Sequence, residues 1–131
     1  MAGLSRHRLK YIDDAGDKAL LTRFIDRFEA DIAPHLPSLR AAVIHNDAND
    51  WNVLVDPATP ARIAGLIDFG DALHSIVIAE VAVACAYSIM GMPDPIGAAA
   101  SLVAGFHAEY PLLEAELDLL FDLIAMRLVI S

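Results

Sequence analysis

The sequence predicts an α+β fold, mostly helical, with one small β-hairpin near its middle. Three observations carry this reading. Between Asp17 and Ala33, the apolar residues Leu20, Leu21, Phe24, Ile25, Phe28 and Ile32 recur as one face of an amphipathic helix. Two short β-rich runs, Val53 to Val55 and Arg62 to Ile67, flank a turn built from Asp56, Pro57, Thr59 and Pro60. After Ile67 the alternation stops and the chain reads as helix. With 131 residues, 56% of them hydrophobic and 21% charged, the chain is long and apolar enough to build one domain around its own core.

Taken in order, the first helix is expected to close at Pro34, because the residue before a proline is pushed out of helical geometry. The linker HLPSLR leads into AAVI, a small β-rich run that ends at His45, and then into the polar knot HNDANDWN. A hairpin centred on residues 57–60 pairs Val55 near Arg62 and Asn52 near Gly65. Ser75 to Met90 is apolar almost all round, the mark of a buried helix. Gly91, Pro93 and Pro95 break it, and Asp94 caps a third helix from about Ile96 to His107. The last helix starts near Pro111, with Glu114, Asp118 and Asp122 on one solvated stripe and Leu113, Leu117, Leu120, Ile124 and Leu128 behind them. Glu80, the lone charge in the buried helix, must be paired or protonated, and Arg127 is its expected partner. No repeat or low-complexity tract divides the chain, so residues 1–131 read as a single domain.

Charge excludes several classes of partner. The net charge is −9, and eight of nine basic residues lie in the first 62 positions, leaving Arg127 alone against nine acids from Ile63 onward. Affinity for phosphate backbones comes from Lys and Arg, so nucleic acid and anionic membrane surfaces are not expected partners. The charge-free stretch Val81 to Pro93 is shorter than the roughly 20 residues needed to span a bilayer, and MAGLSRHRLKYIDD lacks the apolar core of a signal peptide. The single cysteine, Cys85, cannot close an intrachain disulfide and reads as a small buried hydrophobe in a cytoplasmic protein.

Two motifs carry chemistry. His45, Asp47 and Asn52 form H-x-D-x-x-x-x-N, and Asp68, Phe69 and Gly70 form D-F-G with Asp71 next. The hairpin returns both to the same end. Hard oxygen ligands in a small cluster suit Mg²⁺, which takes one or two protein carboxylates and fills its octahedron with water and phosphate oxygens. A further carboxylate can accept a proton from an attacking hydroxyl. Turn chemistry explains single Asp and Asn residues but not the joint spacing. A calcium loop fails, since Asn52 stands where glycine is required and Ala58 where a bidentate Glu is required. The pattern is the division of labour of a kinase catalytic loop.

VIHNDANDWNVLV followed by GLIDFGD resembles the catalytic and metal-binding segments of the aminoglycoside phosphotransferase and choline kinase superfamily. SIVIAEVAVACAYSI and ELDLLFDLIAMRLVIS resemble its hydroxylysine-kinase-type members, which also occur fused to class III aminotransferases. The resemblance implies the mostly helical C-terminal lobe of a protein-kinase-like fold. It implies Asp47 and His45 as the catalytic pair, Asp47 as base and His45 shaping the loop. Asn52 and Asp68 become the Mg²⁺ and nucleotide ligands, with Asp71 supporting the metal shell and ATP as co-substrate. Asn46 replaces the usual loop glycine, and Trp51 is expected to pack beneath the loop.

No glycine-rich phosphate loop occurs, and Lys10 and Lys18 precede the first helix. The nucleotide lobe is therefore expected to be absent, the chain to be inactive alone, and its bared apolar surface to drive homo-oligomer formation. The implied parent phosphorylates a hydroxyl of a small amine-containing molecule, and the acidic stripe of the last helix could attract such a cation. Two other classes stand beside this reading. One is a non-catalytic, kinase-like docking or dimerisation module. The other is a metal-dependent phosphohydrolase, for which a nucleophilic Asp in a phosphatase motif is expected and not found.

Overall fold

A computed structural model describes residues 6–130. The expected α+β architecture is present, with four main helices and two small two-stranded antiparallel sheets among the described residues. Helix α1 (Ala15–Arg27) begins where the Asp14 carboxylate accepts from the Asp17 N–H at 2.8 Å, two residues earlier than the apolar pattern predicts. It does not stop at Pro34. A wider turn over Phe28–Ile32 and a tighter one over Ala33–Ser38 continue it, because a proline in the first turn of a new segment needs no N–H partner. Ile25, Phe28 and Ile32 are buried as expected, but Leu20 is exposed.

Strand β1 (Ala41–Ile44) pairs antiparallel with β4 (Leu73–Ile76), with Ala41 opposite Ile76 and Ile44 opposite Leu73. β4 was not expected. Its Ser75 and Ile76 take up the start of the segment read as helix, so helix α2 runs over Val77–Ser88. Strands β2 (Val53–Asp56) and β3 (Thr59–Leu66) form the hairpin, in a different register from the expected one. Val55 faces Ile63, two irregularities shift the pairing, and the Ile67 N–H donates to the Asn52 carbonyl at 3.0 Å. Bulges change register locally and cannot be counted from a turn centre.

Helix α2 is the centre of the core. Ile78, Val81, Ala82 and Cys85 share one buried cluster with Ile25, Phe28 and Ile32 and with Leu120, Leu123 and Met126 of helix α4 (Glu114–Ile130). Gly91, at φ +74°, follows α2 in the left-handed conformation that glycine adopts without a Cβ penalty. Helix α3 (Pro95–Glu109) starts as expected, with Asp94 accepting from the Gly97 N–H at 2.9 Å.

Ion pairs fasten α4 to the body. Arg40 donates from Nε to Glu116 Oε1 at 2.9 Å and from Nη2 to Oε2 at 2.6 Å, while its guanidinium lies 4.8 Å from the Tyr110 ring centre. The same carboxylate accepts from the Leu113 N–H at 2.8 Å, so it also caps the helix. Asp122 is not on a solvated stripe: it is buried and pairs with Arg27 at 2.7 Å. The outward side of α4 presents Glu114 and Asp118, as expected, together with Leu117, Phe121 and Leu128.

Candidate active site

The loop from His45 to Asn52 hangs between β1 and β2, and its backbone reverses at Asn46, which sits at φ +66°. Asn is among the few residues with a Cβ that tolerate this region, which is why it can stand where a loop glycine is usual. The Asn46 N–H donates to Glu80 Oε2 at 2.9 Å. Half-buried Glu80 thus holds the loop, and where a Glu80–Arg127 bridge was expected, Arg127 reaches the Tyr87 hydroxyl and Asp47. The need for a partner was legible in the sequence; its being a backbone amide was not.

His45 is buried and both ring nitrogens are engaged. A carbonyl can only accept, so Nε2–H donates to the Ile67 oxygen at 2.8 Å, and Nδ1 accepts from the Asp47 N–H at 3.3 Å. The ring also meets Phe69 edge-on, at 4.8 Å between centres. These contacts tie His45 into the loop from both sides of its ring.

Asp47 is the hub. Its Oδ2 accepts from Asn49 Nδ2 at 3.0 Å and Asn52 Nδ2 at 2.9 Å, and its Oδ1 faces Arg127 Nη2 at 3.8 Å. The second hydrogen of Asn52 Nδ2 goes to the Asp47 carbonyl at 2.9 Å. With the nitrogen end of the buried Asn52 amide thus oriented, its Oδ1 remains available as a ligand. Asn49 was missed by sequence reasoning. Its Oδ1 accepts from the N–H groups of Trp51 at 2.8 Å and Asn52 at 3.2 Å, which shapes the turn that delivers Asn52. Trp51 is correspondingly turned out, 87% exposed, and does not pack beneath the loop.

Ile67 connects the two motifs. Its carbonyl is held by His45 and its N–H by the Asn52 carbonyl, so Asp68 leaves from a point fixed by the first loop. Asp68 is exposed, at φ +60°, with Oδ1 accepting from the Gly70 N–H at 3.2 Å. The structure thus joins His45, Asp47 and Asn52 directly and carries Asp68 alongside. Asp71 is exposed and makes no hydrogen bond or ion pair among the described residues.

Among the described residues no three His, Cys, Asp or Glu side chains form a ready-made metal cage. The donor set nevertheless suits a hard cation. An amide oxygen and an exposed carboxylate at one end of a hairpin are what Mg²⁺ uses when phosphate and water supply the rest. None of the helices among the described residues is long and apolar enough to cross a membrane.

Comparison with known proteins agrees with this geometry. The phosphotransferase enzyme family matches residues 3–117. Hydroxylysine kinase of Danio rerio is 35% identical over 105 residues, covering 79% of this chain and 30% of that protein. Hydroxylysine kinase of Xenopus laevis is 31% identical over 110 residues, covering 79% of this chain and 29% of that one. The Mus musculus hydroxylysine kinase is 28% identical over 122 residues, 88% of this chain and 32% of its own length. The chain spans about a third of the length of these curated relatives. A family match over most of the chain, containing a loop and a D-F-G segment already tied together by Ile67, leads to one conclusion: the chain belongs to the phosphotransferase enzyme family.

Proposed function

We propose that this chain carries the acceptor-activating and metal-binding part of an ATP-dependent phosphotransferase that phosphorylates a hydroxyl of a small amine-containing molecule. The observation that supports it most is the Asp47–Asn52 contact, with Asp68 carried alongside by the doubly held Ile67. Asp47 orients the acceptor hydroxyl and takes its proton as the new O–P bond forms and the bond to the nucleotide's bridging oxygen breaks, ADP leaving with that electron pair. Asn49 and Asn52 keep Oδ2 occupied, while Oδ1, 3.8 Å from Arg127 Nη2, is the less engaged oxygen and the one left for an acceptor. Asn52 Oδ1 and the Asp68 carboxylate would hold Mg²⁺, which when bound neutralises charge on the transferring phosphate. Hydroxylysine kinases are among the relatives, which supports an acceptor bearing both a hydroxyl and an amine.

Isothermal titration with Mg²⁺ and ATP tests the reading. Heat that requires both components, and that disappears in Asp68→Ala, is the expected result. Complete silence, or heat unchanged by the substitution, overturns it in favour of a kinase-like lobe used for docking.

A further inference from the structure

The β2–β3 hairpin has little support from the body. Its strands contact each other extensively, but among the described residues they make only marginal contact with any other element. A two-stranded hairpin on its own is marginally stable in water, so this one gains from any surface that covers it. Of the eight residues of β3 all but Gly65 are exposed, Ile63 to 68%, and Leu54 and Val55 of β2 are exposed beside them. Because the sheet has two strands, the edge of β3 away from β2 presents unpaired N–H and C=O groups, a template for a further strand. Pro60, which lacks an N–H, sits at the turn end and leaves the ladder free from Ala61 onward.

Charge selects what can occupy this edge. The chain carries a net −9, so two copies repel over most of their surfaces. The hairpin strands are different: Asp56 and Arg62 are their only charged residues and face each other at 3.7 Å, so the strands are neutral as a pair. A second exposed apolar face, Leu117, Phe121 and Leu128 of α4, stands among Glu114 and Asp118, which would confront their own copies across a two-fold axis.

We propose that β3 pairs antiparallel with β3 of a second copy of this chain, about a two-fold axis at Ile63, to make a four-stranded sheet. Such an interface is self-complementary and closes at two copies. Backbone hydrogen bonds supply the affinity, and Ile63 meeting its own copy across the ladder fixes the register. Pairing eight residues with their side chains buries on the order of 600 Å² per copy, the low end of specific interfaces, so the dimer is reversible.

Analytical ultracentrifugation of the full chain tests this. The mass is expected to double as concentration rises through the micromolar range, and to go no higher. Ile63→Lys places like charges at the axis and removes two covered side chains, which weakens association by about a hundredfold with the helical circular dichroism unchanged. Leu117→Lys, on the α4 face, leaves association as it is. Ile63→Cys gives a disulfide-linked dimer with oxidised glutathione, the buried Cys85 staying unreacted, and Leu117→Cys does not. A chain that stays monomeric overturns the proposal and leaves the hairpin to a different protein. So does association that survives Ile63→Lys, its loss in a folded Leu117→Lys, or growth beyond two copies.

Discussion

Replacing Glu116 by Gln isolates the charge that fastens α4 to the strand region. The carboxylate is fully buried, with two bonds to Arg40 and one from the Leu113 N–H. The amide is isosteric, but it keeps one acceptor and turns an NH₂ group toward a guanidinium. Hydrogen bonds to charged groups contribute about 1.5–3 kcal/mol each. Arg40 keeps 35% of its side chain in water and rehydrates when its partner weakens, so about half of two such bonds, or roughly 2 kcal/mol, is lost. At about 2.1 cal/mol/K of unfolding entropy per residue over this chain, that lowers Tm by roughly 7 °C. The Arg40 guanidinium, ahead of the Leu113 N–H, holds the Glu116 carboxyl below the ordinary glutamate range. Its folded value lies below its unfolded one, so its stabilisation is present above the unfolded value and lost as pH falls through the folded one. Thermal unfolding followed by circular dichroism should show the full gap between the two proteins at pH 7 and a closing gap toward pH 3. Equal melting at pH 7, or an undiminished gap in acid, refutes the account.

Two further outcomes follow from the loop and the core. Asn46 is left-handed, so Asn46→Val should cost about 1–2 kcal/mol while Asn46→Gly is neutral or stabilising; three coincident melting curves would show that the backbone there is not constrained. Burial pushes the Cys85 thiol up to about 11, so a thiol reagent at pH 8 should leave the native protein unlabelled and react fully once denaturant is added; prompt native labelling contradicts the burial.

What the sequence disclosed depended on how local the signal was. The buried character of α2 follows from composition alone, and the two motifs follow from spacing along a few residues. β4 was illegible because its partner, β1, lies about thirty residues earlier, and Ile76 continues the apolar run of the helix behind it. Asn49 was overlooked because an Asn in a polar loop is ordinary, whereas here its amide bonds to both Asp47 and the backbone of Asn52. Asp122 shared a helical stripe with exposed acids, yet Arg27 reaches it from α1, a contact no periodicity reveals. Trp51 was expected beneath the loop because an apolar residue is common at that position in the family it resembles, but the Asn49-centred turn aims it outward.

The two hydrogen bonds on the Ile67 peptide have a mechanical meaning. Displacing Asp68 means dragging Ile67, and Ile67 cannot move without pulling on His45 and Asn52. The two acidic segments are therefore coupled through the Ile67 peptide before any ligand arrives. Regulation in such a molecule would act by admitting or withholding the reactants, since prising the two carboxylates apart would first require breaking the clasp at Ile67.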